Sequence, residues 1–222
     1  MQRVDNTIGA PRQLTGQELL DAAVRYAQER HWDVLPGSWL EVSEGGAPRC
    51  SCSSADCPAP GAHPTRQDWA TRASGSAVAV RLMWQRRPRA SVLLPTGRTF
   101  DAIDVSEGAG LHALARMERM DVPLGPVIST PGRRLVFFVL PGASAKAPEL
   151  LGRLGRPPGS LDLTVLGEGR WVAAPPTRMG GGGMAQWARR PTALNRWLPD
   201  AKELLSPLAY ACGQETAPAR GC

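Results

Sequence analysis

Lysine is almost missing from this chain. It has 26 basic residues, and only Lys146 and Lys202 are lysine; the rest are arginine. Together with 24 glycines and 21 prolines, this is the composition a GC-rich genome imposes, so part of the arginine excess reflects codon usage. No apolar run approaches the roughly 20 residues of a membrane-spanning helix. The first ten residues lack the apolar core of a secretory signal, so a cytoplasmic location is expected. A nucleotide-binding phosphate loop is missing as well. The glycine run at 180–183 has no following Lys-Ser/Thr and reads as a flexible connection. Any helicase partner is therefore expected to be a separate chain.

What is present fits a globular protein. The chain is 42% hydrophobic and 21% charged over 222 residues, enough for one large domain or a domain with a small appendage. Net charge is +6 and the sequence pI is about 9.5, which favours a polyanionic partner.

Cysteine is scarce but clustered. Three of the five cysteines, Cys50, Cys52 and Cys57, lie within a loop at 48–64 that also holds His63. An odd total in a cytosolic chain argues against a disulfide framework. Three thiolates and an imidazole make a full tetrahedral set for Zn2+, and a full set implies a structural site. The competing reading is a surface loop of free cysteines; so dense a cluster in a reducing cell favours zinc. Cys212 and Cys222 read as incidental.

Periodicity gives the elements. Leu19, Leu20, Ala23, Val24 and Ala27 form an apolar stripe on a helix over 17–31, with Thr15 as its cap. Strands are expected at 32–36 and 39–42, a helix at 76–87 and a strand at 90–94. A third helix follows at 110–120. Residues 127–130 and 134–140 read as a hairpin, and 161–166 with 170–174 as another. A last helix should pack back through Leu204, Leu205 and Leu208. The expected fold is α+β: a single domain over 17–208 with a mixed or antiparallel sheet, flanking helices and a zinc-binding loop insertion. Residues 1–16 are expected to be flexible and 209–222 disordered.

The central stretch is Arg98-Thr-Phe-Asp-Ala-Ile-Asp-Val-Ser-Glu107. By the two-residue period of a strand, Phe100, Ala102, Asp104 and Ser106 share one face. Asp104 near a strand end, before Gly108 and a helical run, suits a metal or phosphate site. It equally suits an edge-strand acid that caps the next helix.

The order of motifs resembles the N-terminal domain of bifunctional DNA primase/polymerases, the prim-pol family of the archaeo-eukaryotic primase superfamily. The resemblance runs from about Leu19 to Trp187. It rests on His31-Trp-Asp-Val-Leu-Pro36, Gly61-Ala-His-Pro64, Trp84-Gln-Arg-Arg-Pro-Arg-Ala90, Thr96-Gly97 and Trp171-Val-Ala-Ala-Pro-Pro-Thr177.

The resemblance implies nucleotidyl transfer by two Mg2+ or Mn2+ ions, held by an acidic pair on a strand and a later acid. Asp104 matches the first acid. The second falls on Ser106, with Glu107 next to it as the one substitute. Asp162 is the best match for the third, and Glu168 is its rival. A histidine that contacts the nucleotide's phosphates in the family falls on Arg134. Arg133, Arg134 and Ser106 are thus the implied nucleotide contacts. Two functions follow. One is a primase/polymerase-like enzyme acting on single-stranded or primed DNA with nucleoside triphosphates, its metal site partly degenerate. The other is an inactive nucleic-acid- or nucleotide-binding protein of the same fold, with Arg81, Arg86, Arg87, Arg98, Arg133 and Arg134 lining a basic cleft.

Overall fold

The structure, a computed structural model, describes residues 14–41, 47–157 and 159–216. The chain begins with α1 (Gly16–Arg30), β1 (Leu35–Pro36), β2 (Leu40–Glu41), β3 (Arg49–Cys50), α2 (Ala77–Arg86) and β4 (Val92–Pro95). It continues through β5 (Asp101–Ser106), α3 (Glu107–Arg119), β6 (Val127–Thr130), β7 (Arg134–Val139), α4 (Ala143–Arg153) and β8 (Leu163–Leu166). It closes with β9 (Trp171–Ala173), β10 (Arg178–Met179), β11 (Gly183–Met184), β12 (Gln186–Arg189) and α5 (Ala201–Thr216).

Helix α1 starts where its sequence satisfies the free N–H groups. Thr15 Oγ1 accepts from the Glu18 N–H at 3.2 Å, and the Glu18 carboxylate accepts from the Thr15 N–H at 2.8 Å. It ends at His31, which takes a left-handed conformation with φ of 54°.

Two sheets organise the chain. Strands β12-β6-β7-β5-β8 form one of five strands, and β1-β4-β9 one of three; every pairing is antiparallel. Side chains of the larger sheet alternate between two cores. Ile103, Val105, Leu135, Phe137 and Val139 face α3, α4 and α5. Phe100, Ala102, Val136 and Phe138 face α1, α2 and the smaller sheet. The fold is α+β as expected, but the helices cover both faces of the larger sheet. None of the helices among the described residues is long and apolar enough to cross a membrane.

Three expectations fail on long-range packing. The hairpin of 161–166 with 170–174 does not form, because β8 pairs with β5 and β9 with β4. The chain changes sheet between them. That crossing is locked to the β4–β5 turn: Thr96 donates to the Gly167 carbonyl at 2.5 Å, and the Arg170 carbonyl accepts from the Thr96 N–H at 3.0 Å. Gly97, with φ of +104°, leaves room for Glu168; a Cβ there would lie 2.5 Å from the Glu168 Cα. The glycine run is not a loose connection either. It forms the β10–β11 hairpin, with Gly181 and Gly182 at positive φ in the turn. The tail expected to be disordered from 209 is helical through Thr216. Leu208, Ala209, Ala211 and Cys212 are buried there, so that helix face is held by the core. Residues 217–222, like 1–13, lie outside the described residues.

Aromatic side chains fill the core between the two sheets. Phe138 stacks on Phe100 with centroids 4.4 Å apart, and Trp32 and Trp187 meet it at 5.1 and 5.9 Å. Phe138→Ala should destabilise the protein by about 3–5 kcal/mol, read by urea denaturation, because so crowded a site cannot collapse.

Candidate functional site

The loop after β2 gathers the four zinc-type side chains. The ligand atoms of Cys50, Cys52, Cys57 and His63 all lie within 4.8 Å of one another. Among the described residues this is the one group of three or more His, Cys, Asp or Glu with such convergence. The ring of His63 is oriented for it. Its Nδ1 lies 2.8 Å from the Pro64 carbonyl and its Nε2 3.3 Å from Cys50 Sγ. That arrangement puts the proton on Nδ1 and turns the Nε2 lone pair towards the sulfurs. Burial works against a Cys50 thiolate, but hydrogen bonds from the backbone N–H groups of Cys52 and Gly61 bring its pKa down to about 6. Gly61 has φ of +74°, and a Cβ there would meet the Arg178 carbonyl at 2.8 Å. The donor set and its spacing fit a tetrahedral zinc ion with no open position.

The central strand brings two of the implied acids to one cation. Register pairs Ser106 with Arg134 across β5 and β7, which puts Arg134 on the face of Asp104. Arg134 Nε donates to Asp104 at 2.8 Å, and an Nη of Arg134 reaches both carboxylate oxygens of Asp162 at 2.7 and 2.6 Å. Asp104 and Arg134 keep 26% and 28% of their side-chain surface exposed, and Asp162 keeps 55%. Burial raises the Asp104 pKa, Arg134 opposes that rise, and Asp162 adds to it. Burial also works against the charge on Arg134, but the two carboxylates hold its pKa above the usual value.

The other implied residues are drawn elsewhere. Ser106 ends β5 and caps α3, accepting from the Ala109 N–H at 3.3 Å, while its hydroxyl donates to Glu215. Glu107 is the first residue of α3, and its carboxylate pairs with Arg133 at 3.2 Å. Glu168 is exposed in the crossing between β8 and β9, at the far end of β8 from Asp162. Thus Asp104, Arg134 and Asp162 come together, while Glu107 and Glu168 stay apart from them.

A cleft of about 540 Å³ opens beside the pair, lined by Asp104, Arg134, Arg170 and Trp171. Pro58, Ala59, Pro60 and Ala62 of the cysteine loop form another part of its wall. Trp171 ties the two together by donating from Nε1 to the Ala62 carbonyl at 2.9 Å.

The family described as bifunctional DNA primase/polymerase, N-terminal (Prim-Pol) matches residues 23–197. The chain belongs to that family. No curated protein matches it, and no solved structure does.

Within this prim-pol chain the basic residues do not gather in a single cleft. Arg134 and Arg170 line the cleft, whereas Arg86 and Arg87 line a separate groove. Arg98 pairs with Asp33 at 3.2 Å. Sequence reasoning also missed Glu215 and Cys212 of α5. Cys212 lies 3.7 Å from the Asp162 carbonyl, and burial, with the charges of Asp162 and Glu215, pushes its thiol up to about 11. The signal was there: Leu204, Leu208 and Cys212 recur every four residues. The expected helix stopped at 208, one turn short of Cys212.

The ion pairs have a readable sign. Asp104 should titrate above the ordinary carboxylate range in a carbon-13 NMR titration. Arg134→Gln should raise it further, because the one interaction that favours its charge is lost while burial remains.

Proposed function

We propose that this prim-pol family member acts on DNA as a primase/polymerase-like protein whose two-metal site is degenerate. Nucleic acid and nucleoside triphosphate are bound, and nucleotidyl transfer is crippled or lost. The observation that carries this reading is the guanidinium of Arg134, which sits between Asp104 and Asp162. A pair of divalent ions calls for about three carboxylates on a shared centre. Here two carboxylates converge, and a fixed cation already neutralises part of their charge. Ser106 offers a hydroxyl that is engaged by Glu215, and Glu107 is engaged by Arg133. The residues present therefore do not fit a Mg2+ or Mn2+ pair, and no catalytic step is assigned to one. The same arginine suits a triphosphate, through charge and its planar fork of donors.

Each metal of such a pair stabilises the transition state by several kcal/mol, so a crippled site should run roughly 10²–10⁴-fold slower. Primer synthesis on single-stranded templates with Mg2+ or Mn2+ tests this. The wild type should give product at background level. Ser106→Asp combined with Glu215→Gln should gain activity by restoring an acid without placing it against another. Robust wild-type product that disappears in Asp104→Ala overturns the reading.

The cysteine loop is proposed as a structural zinc clip for the cleft wall. One zinc per chain is expected by elemental analysis. Cys57→Ser should abolish it and lower the melting temperature, and a strong chelator should do the same to the wild type. A melting temperature that ignores both treatments would remove zinc from the account. The proposed partners are single-stranded or primed DNA, nucleoside triphosphates and a separate helicase, in the cytoplasm.

A further inference from the structure

A second hollow, of about 390 Å³, lies along the outer face of α2. Arg66, Arg72, Arg86 and Arg87 line it, with Trp69 and Leu82 among them. The inner face of α2 buries Val80 and Trp84 in the core, yet Leu82 leaves 54% of its surface exposed. A helix that needs only its inner stripe for folding has no structural use for that leucine on the outer side.

The cations are arranged along the groove. Asp68 accepts from the Nε of Arg66 at 2.9 Å and of Arg72 at 2.7 Å. Those bonds use one edge of each fork and orient the other edge. Arg87 donates to Thr65 Oγ1 at 2.9 Å, which holds it against the 65–72 segment. Arg86 is exposed. One aspartate shared by two of four guanidinium groups leaves the groove strongly positive.

The groove adjoins the Asp104 cleft through two tryptophans. Trp69 lines the groove and Trp171 lines the cleft. Their rings meet edge to face with centroids 5.6 Å apart. Positive side chains spaced along a channel, interleaved with aromatic faces, suit a single strand with unstacked bases and not a duplex.

We propose that this groove carries a single DNA strand between α2 and the cleft, with the Trp69–Trp171 pair as the junction. The proposal rests on the nucleic-acid-binding reading above and adds the route of the strand. Phosphates meet Arg86, Arg87 and the free edges of Arg66 and Arg72, and bases lie against Trp69 and Leu82.

The test is fluorescence anisotropy with a labelled oligothymidylate, repeated over a series of salt concentrations. ATP binding by the same protein is measured calorimetrically. Arg86→Gln with Arg87→Gln should weaken the strand about tenfold. It should also flatten the slope of log K against log salt by about 1.4, the loss of two phosphate contacts. ATP binding should not change, because neither arginine lines the cleft. Leu82→Glu places a negative charge in the groove and should weaken the strand by at least as much. Strand affinity and salt slope that match the wild type in both variants overturn the route and leave the cleft reading standing. A wild type that binds neither strand nor ATP overturns both.

Discussion

One arginine between two carboxylates sets the character of the cleft. Arg134 and Asp104 are both largely withdrawn from water, and Asp162 closes the arrangement from the more exposed side. Charges so placed are costly alone and tolerable together. Asp104 is raised by its burial and kept from rising further by the guanidinium, so its state depends on Arg134 staying in place. The register of β5 against β7 makes the contact unavoidable. Ser106 faces Arg134 directly, and an arginine side chain is long enough to lean back over one pleat to Asp104. The pleat that aims Asp104 into the cleft also buries Phe100 and Ala102 behind it. A one-residue slip of the strand would lose both together.

The cysteine loop matters to this site as a wall. Its Cys50, Cys52, Cys57 and His63 side chains converge within a segment that has little hydrophobic content of its own, and Pro58, Ala59, Pro60 and Ala62 line the cleft. The bond from Trp171 to Ala62 joins that wall to β9, which reaches the core through Val172. A loop built of prolines and small residues packs little of itself into the core, where Ala62 and Cys50 are its buried members. Under the proposed zinc reading, metal coordination would add to the order of this loop. The fit of His63, fixed by Pro64 at one nitrogen and aimed at Cys50 by the other, belongs to that same economy of local contacts.

Local signals in the sequence were legible and long-range ones were not. The cap at Thr15, the two-residue alternation of β5 and the β6–β7 hairpin follow from chemistry within a few residues, and each is found. The Cys50, Cys52, Cys57 and His63 set was equally readable, because a metal's needs are met within one loop. The pairing of β8 and β9 was not. Two short strands separated by Gly167-Glu-Gly169 read as a hairpin, and only the contacts of Thr96 and Gly97 with that turn send them to different sheets. The helix over 76–87 was legible as a helix, but which of its apolar side chains are buried was not. Val78 and Leu82 resemble core residues by type, yet both are exposed, so the period of the sequence and the face that packs differ. For the candidate site, Asp104, Asp162 and Arg134 were named from resemblance. What drew them together, cross-strand register and one long guanidinium, lay outside any local pattern.

The last helix sets the surroundings of Ser106 and Asp162. Helix α5 lies beyond residue 197, where the family match ends, yet it packs on the same core as β5 through Leu204, Leu205 and Leu208. Its final turns deliver Glu215 to the Ser106 hydroxyl and Cys212 to the Asp162 backbone. Gly108 leaves the space for Glu215, because a Cβ there would run into its carboxylate. An aspartate at 106 would set one carboxylate against another at hydrogen-bond range, and like charges so close cannot both ionise without cost. A serine donates instead. Ser106 and Glu215 therefore suit each other, a hydroxyl donor facing a carboxylate.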